Sequence, residues 1–342
     1  MKKLFNFFLV LAFIIPVSVS AQKIDKVKFF EDQSIIDATL EVDMKDLLGK
    51  KQKERFLPST FSMTLDGNTI TEKTETSVRG NFRRENCFMP GLKLKLNTDS
   101  NSRFQKLKEL KLVNGCSTSE DAGMLVIKEF LVYKMYNLIT NKSMRVRLMK
   151  VNFKDAAGKR KPYTQFAFFS EDIDEMAKRN KMVEVESVSF GTEATNRGQM
   201  TLVSLFQYFI GNTDWSVPAY HNMKLIGDKD DINARPLAVA YDFDITGFVN
   251  PPYATVSELL QNQITTVRDR LYRGYPRTME ELKEAIKIFN DKKSQLYDLV
   301  NNNEYLTAKV KSDVSSFMDS FYKTINDEKE VKKVFIDGAR QN

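Results

Sequence analysis

The chain has 342 residues, of which 42% are apolar and 28% charged, with a formal net charge of +7 at pH 7. That apolar share supports a buried core and excludes a disordered chain. One histidine and two cysteines exclude a zinc site built from those residue types alone, and a mild basic excess spread along the chain argues against a nucleic-acid-binding surface while leaving room for a small anionic ligand.

The chain opens on Lys2-Lys3, an apolar stretch from Leu4 to Val19 and the small residues Val19-Ser-Ala21 before Gln22. This pattern predicts a signal peptide over residues 1–21, cleaved after Ala21, and hence an exported protein, periplasmic or secreted. Loss of Lys2 and Lys3 takes the net charge from +7 to +5. The run is shorter than the ~20 residues that span a bilayer, and no later segment is apolar enough, so no membrane span is expected in the mature chain. In an oxidising compartment the pair Cys87 and Cys116 reads as a disulfide.

Ser34 to Val42, Thr60 to Leu65 and the strictly alternating Gly91 to Leu96 read as strands, the second ending at the turn signal Asp66-Gly67. From Asp121 to Thr140 apolar residues recur at helical spacing, which predicts a long buried helix. Arg145 to Phe153 and Tyr163 to Phe169 read as two strands joined by a turn near Asp155-Ala-Ala-Gly158, and Glu171 to Arg179 as a short helix. Met200 to Ile210 is strongly apolar and helical and runs into Gly211. Two short strand-like runs follow, Asn222 to Ile226 and Ala238 to Tyr241, and from about Thr278 the chain is charged, amphipathic and helical.

This order predicts an α+β protein in two parts: residues 22–170, β-rich with one long helix, and residues 171–342, mainly helical.

The densest polar constellation is Gly211-Asn-Thr-Asp-Trp215, then His221-Asn222, then Tyr241-Asp-Phe-Asp244 with Gly247. An Asp, an Asn a few residues on, a short hairpin and another Asp suit phosphoryl transfer. The first Asp can orient a hydroxyl, and the Asn and second Asp can supply hard oxygen ligands to magnesium. The same residues also favour turns, which is the plainer reading of Asn212. His221 reads as a brace for the loop, Trp215 as a core anchor, and the run Arg268-Asp-Arg270 with Tyr272-Arg-Gly274 as either an anion contact or a solvated face.

Asn212-Thr-Asp-Trp, His221-Asn222 and Tyr241-Asp-Phe-Asp resemble the catalytic and metal-binding loops of the CotH spore-coat kinase family, with a more distant similarity to the HipA toxins. Arg79-Gly-Asn81 ahead of the strand bearing Lys93 and Lys95 is similar to the Arg-Gly-Asn stretch and lysine strand of CotH proteins. The resemblance covers about residues 75 to 250. It implies a two-lobed protein-kinase-like fold, with a β-rich N-terminal lobe and a mainly helical C-terminal lobe, that binds ATP with Mg2+ or Mn2+. Asp214 would then be the catalytic base, and Asn222 and Asp242 metal ligands, with Asp244 competing for the role of Asp242. Lys93 or Lys95 would hold the phosphates with Glu129 as partner, and Arg79 would contact phosphate. The implied function is phosphoryl transfer to a protein or glycan hydroxyl.

The kinase-type glycine-rich loop is missing: Gly80 stands alone beside Arg79, with Arg83-Arg84 following. A catalytically inactive envelope binding or assembly protein is therefore the alternative, and a metal-dependent hydrolase using the same carboxylates a third.

Overall fold

Alternating strands in the first half leave one apolar and one polar face each, and the chain buries the apolar faces by rolling the sheet closed. A computed structural model describes residues 23–52, 54–186, 190–231 and 233–341; the expected signal peptide lies outside them. After a short helix α1 (Lys26–Glu31) come β1 (Ile36–Val42), α2 (Met44–Lys50), β2 (Leu57–Leu65) and β3 (Asn68–Arg79). Then follow α3 (Phe82–Asn86), β4 (Gly91–Lys95), β5 (Glu109–Asn114), α4 (Glu120–Ile139), β6 (Val146–Asp155) and β7 (Tyr163–Ser170).

The seven strands form a closed barrel in the order β1-β2-β3-β4-β5-β7-β6. All pairings around it are antiparallel except the closure itself, where Ile36 to Val42 runs parallel to Met149 to Asp155. Closure leaves no open edge. Leu40, Phe61, Leu92, Leu112, Phe153 and Phe169 fill the interior, each with at most 1% of its surface exposed. The β2–β3 hairpin turns on Asp66-Gly67, both left-handed, as a two-residue hairpin requires.

The remaining chain gives α5 (Ile173–Arg179), β8 (Met182–Glu184), α6 (Arg197–Ile210), β9 (Met223–Asp228), β10 (Leu237–Ala240), α7 (Met279–Asn301), α8 (Ala308–Ile325) and α9 (Glu328–Val331). The three short strands form a separate antiparallel sheet, β10-β9-β8. Helix α4 starts at Ser119, whose hydroxyl accepts the Ala122 N–H, and α7 starts with a capping box of Thr278 and Glu281. Beyond its caps α4 is buried on both flanks, between the barrel strands β5 to β7 and the helices α6 and α7.

The α+β class stands, but the two-lobed protein-kinase-like architecture does not: the first half is a closed seven-stranded barrel. The reason is the parallel β1–β6 contact, which joins segments more than 100 residues apart and leaves no trace in local periodicity. Among the described residues no helix is long and apolar enough to cross a membrane.

Cys87 and Cys116 are bridged, tying the end of α3 to the segment between β5 and α4. The bridge closes a loop across 29 residues, for which the chain-entropy relation gives about 3.6 kcal/mol. Urea unfolding of a Cys87→Ser/Cys116→Ser variant should show a loss of that order; an unchanged midpoint would remove the bridge as a source of stability.

Candidate functional site

Helix α6 ends at Gly211, which adopts φ +66°. A side chain there would meet the Phe317 ring at 2.9 Å and the Gly247 backbone at 3.3 Å. The close approach lets Gly247 N–H donate to Gly211 O and Phe248 N–H to Ile210 O, both at 3.0 Å, so the turn after β10 is pinned to the loop after α6.

That loop is braced from within. Buried Asn212 takes the Asp214 N–H on its side-chain oxygen at 2.8 Å and donates to Gln207 at 3.0 Å, the turn role expected of it. Asp214 is held on both carboxylate oxygens, Oδ1 by His221 Nε2 at 2.7 Å and Oδ2 by Asn222 Nδ2 at 3.0 Å; the same amide donates to the Asp214 backbone carbonyl at 2.8 Å. With its NH2 spent on Asp214, Asn222 keeps its amide oxygen for another partner. His221 thus acts as the expected brace. Trp215 is 5% exposed, under the Arg273 guanidinium.

The arginines after residue 267 serve the scaffold. Arg270 donates to the carbonyls of Tyr208, Phe209 and Phe317 and lies 3.7 Å over the Phe317 ring. It thereby satisfies the Phe209 carbonyl, which the end of α6 leaves open. Arg273 donates to the carbonyls of Thr213 and Trp215, and Arg268 to Gly247 O and Asp313.

Asp242 has φ +61°, and its N–H donates to the Tyr133 hydroxyl of α4 at 2.9 Å. Phe243, fully buried, packs against the rings of Tyr133, Tyr136 and Phe206. Its anchoring sets Asp242 and Asp244, one residue either side, near Glu129 of α4. Burial raises the Glu129 carboxyl well above the usual range, with Asp244 and then Asp242 adding to it, against Arg83 and Arg79. Asp244 is pushed up to about 7 by burial first, then by Asp242 and Asp214. A buried carboxyl raised by acid neighbours is the kind of group in which functional sites and structural charge networks both occur.

Positive charge comes from the barrel. Arg79, on β3, lies across Gly91, where a side chain would stand 3.3 Å from its Cγ, and donates to Leu92 O at 3.2 Å. Lys111, on β5, is exposed on the outer wall yet crowded by protein. Its ammonium is held below the usual lysine range by loss of water and by Arg79, partly offset by Asp172 and Asp242. Arg83, on α3, donates to Asn114 O and opposes the charges of Glu129 and Asp244. A cavity of about 10 Å3 is lined by Arg83, Asn114, Glu129, Asp244 and Tyr253.

The structure therefore brings Asp214 and Asn222 into contact and sets Asp242, Asp244, Glu129 and Arg79 within electrostatic reach of one another, with Asp214 close enough to act on Asp244. It does not bring Lys93 or Lys95 to Glu129. Lys93 pairs with Glu109 at 2.8 Å and Lys95 with Glu75 at 3.1 Å, and Glu129 makes no ion pair with a described residue. Lys111 was missed, although Glu109-Leu-Lys-Leu-Val alternates as plainly as the neighbouring strand; pairing puts it directly beside Lys93. Among the described residues, no group of three or more His, Cys, Asp or Glu side chains is placed to hold a metal. A cation held by Asn222 and Asp242 would complete its shell from ligand oxygens and water, which suits magnesium.

Two tests follow from this geometry. Tyr133→Phe removes the acceptor for the Asp242 N–H and should cost about 1–2 kcal/mol in urea unfolding; no loss would mean the bond is not formed in solution. For Asp244, the unfolded chain ionises near 3.8 while the folded chain holds its proton to about 7. Its contribution to stability therefore falls as pH rises between those values. Asp244→Asn should flatten that slope and be more stable than the parent at pH 7; an unaltered pH profile would show that Asp244 ionises normally.

No family model, curated protein or solved structure matches this chain.

Proposed function

We propose that this is an exported phosphotransferase that binds a magnesium nucleotide at the carboxylate cluster of the 242–244 turn and transfers a phosphoryl group to a protein or glycan hydroxyl. The observation that carries the reading is the double support of Asp214: one oxygen bonded to His221 and the other to Asn222. A carboxylate held this way is oriented to accept a proton from an acceptor hydroxyl. Asn222 Oδ1 and the Asp242 carboxylate are the ligands offered to Mg2+ or Mn2+, with Asp244 behind them. The ion would neutralise the phosphate charge that the protein's own cations do not reach.

Arg79 and Lys111 supply that other positive charge from the barrel, in place of the backbone amides of a glycine-rich loop. Lys93, on the same wall as Lys111, can join them only by releasing Glu109. The disulfide suits an oxidising compartment and so supports export.

One observation favours a second reading, a catalytically inactive envelope binding or assembly protein. Arg83 already opposes Glu129 and Asp244 where a metal would reduce the same charge.

Thermal unfolding with and without ATP and Mg2+ or Mn2+ tests both. Nucleotide at ~100 times its dissociation constant should add about 2.7 kcal/mol of stability. The gain should need the metal, vanish in Asp242→Ala and persist in Asp214→Asn, which should lose only phosphoryl transfer. A metal-dependent shift without turnover on any acceptor supports the inactive reading; no shift with any nucleotide ends the nucleotide proposal.

A further inference from the structure

The barrel has a second chemically distinctive feature, which shares no lining residue with the cavity at Glu129 and Asp244. A cavity of about 290 Å3 opens between α2, the segment following the α3 end of the disulfide, and the β6–β7 hairpin. Its walls are apolar: Met44, Leu48, Phe88, Met89 and Phe153, with the Tyr163 ring stacked on Phe153 at 5.0 Å. Phe88 is 49% exposed, which is unusual for so large an apolar side chain.

The polar groups around it are unevenly matched. Arg160 and Lys161 line the cavity and are solvent-exposed, and neither forms an ion pair with a described residue; the Arg160 guanidinium lies 6.0 Å over the Phe88 ring. The only acid on the lining, Asp155, is committed to backbone N–H groups: Met44 at 3.1 Å, Lys159 at 2.8 Å and Arg160 at 3.1 Å, with a longer bond to Ala157. Lys159, next in sequence, is also exposed. The Tyr163 hydroxyl is buried without a hydrogen-bond partner among the described residues, and burial keeps it protonated by raising its pKa. An apolar cavity, two unpaired cations, a carboxylate already satisfied and an unused O–H donor together fit a molecule with an apolar body and a single anionic end.

We propose that this cavity binds a free amphiphilic carboxylate with a chain of about ten carbons. The size follows from volume: an apolar protein cavity of about 150 Å3 holds benzene, so one roughly twice as large takes about a dozen non-hydrogen atoms. Met44 and Met89 give the wall an adaptable surface that accepts a flexible chain. The chain lies between Leu48, Met89 and Phe153, and the carboxylate faces Arg160 and Lys161. This site is independent of nucleotide binding.

Decanoate is the probe, with decanol as its uncharged counterpart, titrated calorimetrically against the full disulfide-bonded chain. Decanoate should bind saturably at one site, about tenfold or more tighter than decanol. Arg160→Glu/Lys161→Glu, which alters only exposed side chains, should remove that preference without changing decanol affinity or the unfolding midpoint. Leu48→Trp, which fills the cavity, should abolish both. Absence of saturable decanoate binding, equal affinity for decanol, or decanoate affinity unchanged by the charge reversal would each overturn the proposal.

Discussion

Burial of α4 on both flanks is the constraint on which the rest of the molecule rests. The helix packs against the barrel through Phe130 and Tyr133, whose rings meet Phe168 of β7, and against the helical layer, where Tyr136 stacks on Phe206 of α6. A helix enclosed in this way cannot leave its polar atoms to water, so each must be satisfied by a neighbour. Tyr133 and Tyr136 accept N–H groups from Asp242 and Ala240, and Glu129 is left facing the two aspartates of the same turn. The helix that joins the two cores thereby sets the backbone of the turn on which the acidic site is built.

The electrostatics of that site run against stability. Burial raises both Glu129 and Asp244; Asp244 and Asp242 raise Glu129 further, and Asp242 raises Asp244. Arg83 and Arg79 offset this from α3 and from the barrel without forming an ion pair with these carboxylates among the described residues. The loop carrying Asp214 shows the opposite economy. Asn212, His221 and Asn222 hold Asp214, and Arg270 and Arg273 take backbone carbonyls on either side of the loop, so its carboxylate is fixed by the loop's own contacts.

Much of the fold is legible in the sequence because its elements are strongly periodic. The alternation of Gly91 to Leu96 and the helical spacing from Asp121 to Thr140 correspond to β4 and α4 within a residue or two. The gaps have physical causes. Strand β3 is a run of Thr, Glu, Lys and Ser whose exposed side hides the alternation of Ile70, Thr74, Thr76 and Val78, and β5 was passed over beside a lysine-rich stretch. In the candidate site, the residue types Asp, Asn and Asp flanking a short hairpin are visible in the chain. Which cation faces them is not: Lys93, Lys95 and Lys111 share one outer wall, and only cross-strand pairing separates those bound to Glu109 and Glu75 from the one near Asp242.

By itself the sequence determined the α+β class, the long buried helix, the amphipathic C-terminal helices and the loops on which Asp214, Asn222, Asp242 and Asp244 sit, because each follows from local periodicity or turn chemistry acting over a few residues. Only the tertiary structure decided that the strands close into a barrel, that Glu129 meets Asp244 rather than a lysine, and that Arg160 and Lys161 border an apolar cavity. Those outcomes depend on contacts between segments far apart in the chain, and such contacts are fixed by the packing of whole surfaces rather than by the pattern within any one segment.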